Sequence, residues 1–194
     1  SPQWRESVRM FLKRVESEVF ADPVAASLAT LMKAKRDEIF YLLERAEQLA
    51  ALLQSRPLEF VLCHSDIHAG NILIDGSAAL YIVDWDNPIW APKERDLMFI
   101  GGAQGFAGCT AQEEESRFYR GYGQTQIHSP VLAYYRYERI IQDIAAYCEQ
   151  LLLTDAGGED RAQSLRYLMS NFSPDGTIAM ARRADCQPER VLYG

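Results

Sequence analysis

Trp4, Val8, Phe11, Val15 and Val19 fall three or four residues apart with Arg and Glu between them, and this spacing predicts an amphipathic helix at the start of the chain. "ADPV" interrupts it, with Asp22 placed to cap a new helix and Pro23 suited to its first position. From Ala25 to Gln54 apolar residues recur at helical spacing, among them Leu28, Met32, Ile39, Leu42, Leu49 and Leu53, which predicts one long helix or a broken pair. The period then shortens. "EFVLC" (Glu59 to Cys63), "NILI" (Asn71 to Ile74) and "ALYIVDW" (Ala79 to Trp85) are short and β-prone, and "DGS" at Asp75 to Ser77 is a hairpin turn signal between the last two.

Helical spacing returns from Glu94 onward. Val131, Tyr134, Ile141, Ile144, Cys148 and Leu151 lie on one strong apolar stripe, and "SPDG" at Ser173 to Gly176 has the residues of a cap opening a final helix. No internal repeat, low-complexity segment or Pro-, Gly- or Ser-rich linker divides the chain. The expected fold is therefore mainly α with a small β-hairpin sheet (α+β), in a single domain over residues 1–194.

The composition agrees with that layout. Of 194 residues, 48% are hydrophobic and 24% charged, enough for a core without disulfides or metals. A formal net charge of −7 argues against nucleic acid and favours a cationic or neutral small partner. No apolar run is long enough to span a membrane, and "SPQWRESVRM" lacks the apolar core of a signal peptide. Cys63, Cys109, Cys148 and Cys186 are far apart and form no C-x-x-C, so reduced thiols in a cytoplasmic protein are expected.

The sharpest polarity of the chain sits between two apolar runs, in "FVLCHSDIHAGNIL" (Phe60 to Leu73). Asp66 and Asn71 are five residues apart, a strand begins at Asn71, and the next strand ends in "VDWD" with Asp84 at its tip. A hairpin of this kind can bring Asp66, Asn71 and Asp84 to one edge. Phosphoryl transfer needs that set: one carboxylate to orient a hydroxyl and accept its proton, and an amide oxygen with a second carboxylate to hold Mg²⁺ against phosphates. His64-Ser65-Asp66 with Asn71 follows the kinase loop pattern except for Ser in place of Arg, and Trp85 takes the aromatic position after the metal-binding Asp. The competing view makes Asp66 and Asn71 turn formers and leaves Asp84 to end a strand.

Neighbouring residues carry weaker signals. His64 and His68 have the spacing of a helical zinc pair, but their flanks predict a loop and the glutamate of H-E-x-x-H is absent. His64 is expected to anchor the loop by packing and hydrogen bonding, and His68 to shape it or approach the phosphates. Asp96 in "PKERDLMFIGG" either ties the loop in place or is an ordinary helix-start carboxylate. Asp86 is a metal or substrate contact or a turn residue, and Glu94 a substrate contact or a local ion-pair partner of Arg95. "GGAQGFAG" (Gly101 to Gly108) matches no phosphate-loop pattern and is expected to be a flexible surface loop; "EEE" at Glu113 to Glu115 is expected to open a solvated helix.

"HSDIHAGNIL" and "YIVDWD" resemble the aminoglycoside phosphotransferases, relatives of the protein kinases that phosphorylate small molecules. "CHSDIHAGN", "DWDNPIWAPKERDLMFIGG" and "YYRYERIIQDIAAY" are closest to the spectinomycin branch. The resemblance implies that Asp66 is the catalytic base, Asn71 and Asp84 the Mg²⁺ ligands and Asp96 the carboxylate supporting the loop. It implies the C-terminal lobe of a protein-kinase-like fold, with 25–54 and 134–152 as walls of a substrate cleft. Nothing upstream of Phe60 resembles a β-rich nucleotide lobe, since Lys13, Lys33 and Lys35 lie on predicted helices. The expectation is a catalytic lobe without its N-terminal partner, transferring little or no phosphate alone.

The activity so implied is ATP- and Mg²⁺-dependent phosphorylation of a small, cationic, hydroxyl-bearing molecule, with spectinomycin the most specific acceptor. Choline, homoserine or a sugar would keep the chemistry and change the acceptor. A ligand-binding lobe without catalysis is the alternative of a different class, and the intact Asp66, Asn71 and Asp84 set counts against it.

Overall fold

The computed structural model describes residues 2–102, 109–154 and 156–192. Its elements in chain order are α1 (Gln3–Ser17), α2 (Pro23–Ala34), α3 (Arg36–Gln54), β1 (Val61–Cys63), β2 (Ile72–Ile74), β3 (Leu80–Ile82), β4 (Ile89–Ala91), α4 (Glu94–Leu97), α5 (Ala111–Tyr122), β5 (Thr125–Ile127), α6 (Ser129–Leu152), α7 (Gly158–Ser170), α8 (Thr177–Asp185) and β6 (Arg190–Leu192), with a single 3₁₀ turn at Ala69–Asn71. Mainly helical with small antiparallel sheets is the fold class expected from the hydrophobic pattern. All but Gly101 and Gly102 of the glycine-rich stretch lies outside the described residues.

The chain divides into two compact units. The first comprises Ser1–Ala51 and Tyr137–Ala179, the second Leu52–Arg136 and Met180–Gly194.

In the first unit the helical stripe of α1 buries Val8, Phe11, Leu12 and Val15. The helix stops before Val19, which is 98% exposed, because the chain turns extended at Glu18, whose carboxylate closes a two-bonded pair with Arg14 one turn back. Asp22 caps α2 as expected, its Oδ2 accepting from Ala25 N at 2.8 Å, with Pro23 at the first helical position where a missing N–H costs nothing. The long helical stretch resolves into a broken pair at Lys35, whose backbone leaves helical geometry. The apolar stripe of α6 is buried through Tyr137, Ile141, Ile144, Cys148 and Leu151.

One buried cation closes this unit. The Arg161 guanidinium donates to the carbonyls of Gln150 (3.2 Å), Leu151 (3.1 Å) and Thr154, which the end of α6 leaves without helical partners, and to Asp22 Oδ2 at 2.9 Å. The same carboxylate therefore caps one helix and neutralises the cation capping another. At the "SPDG" turn, Gly176 is required by close approach: a Cβ there would clash with the Ser170 and Asn171 carbonyl oxygens.

Among the described residues the second unit holds three antiparallel strand pairs: β1 with β4, β2 with β3, and β5 with β6. The predicted hairpin is β2–β3, registered as Ile72 opposite Ile82 and Ile74 opposite Leu80. Its turn is organised by Asp75, whose Oδ1 accepts from Ser77 N, Ser77 Oγ and Ala79 N, while Ala78 takes the left-handed conformation at φ 64°. These bonds, the Ser77 hydroxyl foremost, hold the Asp75 carboxyl below its ordinary pKa. "IWA" and the pairing of "TQI" with "RVL" are three-residue ladders that the period-two pattern does not reveal.

Removing the Arg161 guanidinium takes the charged donor from the carbonyls at the end of α6 and from Asp22, which keeps its bond from Ala25 N. Arg161→Ala is expected to lower unfolding free energy by about 3 kcal/mol, read from urea midpoints at constant slope. Arg14→Ala, which breaks an exposed pair, is expected to leave the urea midpoint essentially unchanged.

Candidate active site

The loop between β1 and β2 carries the polar cluster, and a carboxylate from another element holds its entrance. Asp96, in α4, accepts from His64 N through Oδ2 at 2.9 Å and from Ser65 N through Oδ1 at 2.7 Å. Two consecutive N–H groups converge on one side chain only when the backbone bends sharply, and Ser65 does so at φ 74°. That conformation costs a non-glycine residue roughly 1–3 kcal/mol. Two charge-assisted bonds and a third from Ser65 Oγ to the Asn87 carbonyl (2.7 Å) offset it. Asp96 is thus the loop-supporting carboxylate in geometry.

His64 anchors the loop from inside. Its ring is 2% exposed and packs 4.5 Å from the Trp85 ring, centroid to centroid. Nε2 lies 2.9 Å from the Val83 carbonyl, an acceptor only, so the proton sits on Nε2 and Nδ1 is left to accept from Asp66 N at 3.3 Å. His68 shapes the next turn: its Nδ1 accepts from Gly70 N at 3.0 Å, and its ring meets Phe99 edge-on at 6.0 Å. A Cβ at position 70 would stand 2.8 Å from the His68 ring, so any larger residue there would push the ring aside. The His68 Nε2 edge lies 4.0 Å from Asp66 Oδ2. Both imidazoles are therefore engaged with the loop itself.

Asn71 ties the loop to the hairpin. Its Nδ2 donates to the Asp66 carbonyl at 2.8 Å, and since a carbonyl can only accept, Oδ1 is the atom left over. Its backbone carbonyl accepts from Val83 N at 3.0 Å. The β2–β3 register thus carries Asn71 to the residue preceding Asp84. Asp84 is exposed, two residues beyond β3, and left-handed at φ 67°. It is bracketed by the Val83 carbonyl bonded to His64 and by Trp85, whose Nε1 donates to the Ile82 carbonyl at 3.0 Å. Two non-glycine residues in left-handed geometry, Ser65 and Asp84, therefore flank the cluster, where local bonds over-determine the backbone.

The donor set fits Mg²⁺. An amide oxygen and an exposed carboxylate are hard ligands that leave room for phosphate oxygens and water. Among the described residues no group of three His, Cys, Asp or Glu side chains is placed to hold a metal ion.

Asp86 is exposed, beside Asp84 in the chain. Glu94 is 1% exposed, with Oε1 accepting from His128 N at 3.1 Å and lying 3.6 Å from Lys93 Nζ. Sequence reasoning missed Trp85 as the cover on His64, and it missed Phe99 and Cys63. The acidic stretch opens α5 as expected, through a capping box between Thr110 and Glu113.

A model of the phosphotransferase enzyme family matches residues 3–135. The crystal structure of a spectinomycin phosphotransferase, APH(9)-Ia, in complex with ADP and spectinomycin is 38% identical, with a TM-score of 0.82 over 95% of this chain and 56% of that one. Its AMP-bound complex is 39% identical, with a TM-score of 0.80 over 94% and 56%. An ethanolamine kinase from Plasmodium vivax shares the fold alone, at 14% identity and a TM-score of 0.51 over 93% and 50%. No curated protein sequence matches significantly. The chain spans about half the length of the solved proteins it matches, and over that span it has the fold of kinase-like phosphotransferases.

Two expectations follow from the loop's supports. Asp96→Asn replaces one acceptor oxygen by a donor facing an N–H, and urea unfolding is expected to show a loss of about 1–3 kcal/mol. Burial, then the Asp96 charge, pushes the adjacent Cys63 thiol up to about 11. An unfolded thiol ionises near about 8.5, so the thiol's contribution to stability is complete below that pH and is lost as pH rises toward about 11. Cys63→Ala is expected to flatten the fall of the urea midpoint between pH 8.5 and 10.5, and an unchanged slope would refute the assignment.

Proposed function

We propose that this chain, which belongs to the phosphotransferase enzyme family, carries the catalytic loop of an ATP- and Mg²⁺-dependent enzyme that phosphorylates a hydroxyl of spectinomycin or a closely similar aminocyclitol. The observation carrying the reading is the bond from Asn71 Nδ2 to the Asp66 carbonyl combined with the hairpin register, which ties Asp66, Asn71 and Asp84 into one backbone-linked group. The likeness to a protein solved with ADP and spectinomycin supports the choice of acceptor.

Asp66 lies at the mouth of the loop with its side chain 37% exposed, within reach of an incoming hydroxyl. Its carboxylate orients the acceptor O–H and takes the proton as the oxygen attacks the terminal phosphorus and the bond to the ADP oxygen breaks. Asn71 Oδ1 and the Asp84 carboxylate are the groups that would hold Mg²⁺, which when bound neutralises phosphate charge. The bonds flanking Asp84 hold its backbone in one conformation, and a fixed backbone of this kind would favour pre-organisation of its carboxylate. Asp86 adds negative charge at the same edge and suits a cationic acceptor.

The strand pairs of the second unit expose much apolar surface. Leu62 and Trp90 form one outward cross-strand pair, at 58% and 70% exposed, and Ile74 at the hairpin tip is 70% exposed. In this reading, that surface accepts the nucleotide and the β-rich lobe that grips it in a longer protein, and the chain alone turns over slowly or not at all.

The test is ADP release from Mg-ATP with and without spectinomycin, by this chain and by the product of the uninterrupted reading frame around it. The longer product is expected to respond to spectinomycin, and Asp66→Ala to reduce its kcat by about 10²- to 10⁴-fold. Asn71→Ala and Asp84→Ala are expected to raise the Mg²⁺ concentration required. A longer product silent with spectinomycin and with a panel of aminocyclitols would overturn the acceptor assignment.

A further inference from the structure

Arg136 lies in α6 and is 7% exposed, and its guanidinium donates to three backbone carbonyls. Nε donates to the Met98 carbonyl at 3.0 Å, Nη2 to the Ile100 carbonyl at 2.6 Å and Nη1 to the Met180 carbonyl at 3.3 Å. The first two acceptors are carbonyls just past the end of α4, which a helix of four residues leaves without helical partners. They bracket Phe99, whose ring meets His68 at 6.0 Å. Two residues before Met98 is Asp96, with both oxygens on the N–H groups of His64 and Ser65. The chain then turns away through Gly101 at φ 84°, with Arg136 Nη2 3.9 Å from where its Cβ would be.

The segment 96–100 therefore touches the catalytic loop twice, by Asp96 at its entrance and by Phe99 at its second turn, and Arg136 grips that segment on either side of Phe99. We propose that Arg136 is a positioning residue of the phosphotransfer site. It sets the reach of Phe99 onto His68, and through His68 the turn that carries Asp66 and Asn71. A lysine has one compact charge and cannot span carbonyls two residues apart with a rigid fork, so Arg136→Lys is expected to restore the role only in part.

The inference rests on Asp66–Asn71 being the catalytic loop, but its test needs neither nucleotide nor acceptor, so failure of the assigned activity does not count as its failure. Amide hydrogen exchange is followed by NMR on the full chain and on Arg136→Met, Arg136→Lys and Phe99→Leu. In Arg136→Met the amides of Gly70 and Asn71 are expected to exchange about tenfold faster or more, while the β1–β4 ladder and the later turns of α6 stay within about twofold. Arg136→Lys should fall between. Phe99→Leu, which leaves the guanidinium bonds intact, should loosen Gly70 and Asn71 and spare His64 and Ser65. Equal loosening throughout the second unit would assign Arg136 a general structural role and overturn the proposal. So would unchanged exchange at Gly70 and Asn71. If Arg136→Met fails to fold, the Phe99→Leu and Arg136→Lys patterns decide it by the same criteria.

Discussion

The two bonds from consecutive backbone amides to Asp96 are the constraint on which the site depends. A chain at Ser65 would relax to ordinary geometry if nothing held it, because left-handed backbone is unfavourable for any residue with a Cβ. Asp96 holds it with a full negative charge facing two N–H donors, a bond type about twice as strong as its neutral counterpart. With Ser65 so bent, His64 turns inward beneath Trp85 and Asp66 turns outward. The adjacent cysteine feels the same field from the other side, since burial first, and then the charge that suits two amides, disfavours a thiolate at Cys63.

The site repeats one device at its other end. Asp84 is left-handed too, and it is fixed by bonds to the residues flanking it rather than by its own side chain. That leaves its carboxylate available for chemistry. His64 serves both ends, since its Nδ1 accepts from Asp66 N and its Nε2 donates to the Val83 carbonyl. One imidazole thus couples the loop that carries Asp66 to the tip that carries Asp84, and its burial beneath Trp85 follows from those two bonds.

Each unit uses a buried arginine to satisfy carbonyls at the end of a helix: Arg161 at the end of α6 and Arg136 past the end of α4. The planar fork suits this task, because several donors in fixed geometry reach several acceptors at once. The difference lies in what the capped segment does. Behind Arg161 stand packed helices, and behind Arg136 stand Asp96 and Phe99.

What could be read from the chain alone was what local pattern determines. Helical stripes placed α1 and α6, Asp22 and Pro23 marked the start of α2, and "DGS" placed the hairpin, because caps, periods and turns involve residues close in sequence. The kinase-like spacing of Asp66, Asn71 and Asp84 was legible for the same reason, since loop and hairpin are contiguous. Tertiary structure decided the rest. Glu94 read as a substrate contact or a partner of Arg95, and its burial against the amide of His128 was not legible; Val19 continued an apolar stripe and is exposed; β5 finds its partner more than sixty residues away. Asp96 could be named from resemblance, but which amides its oxygens accept, and that Arg136 braces the segment behind it, depend on contacts between residues about thirty to forty positions apart. Composition and period carry no record of such contacts, because they follow from how elements pack and not from what any one element prefers.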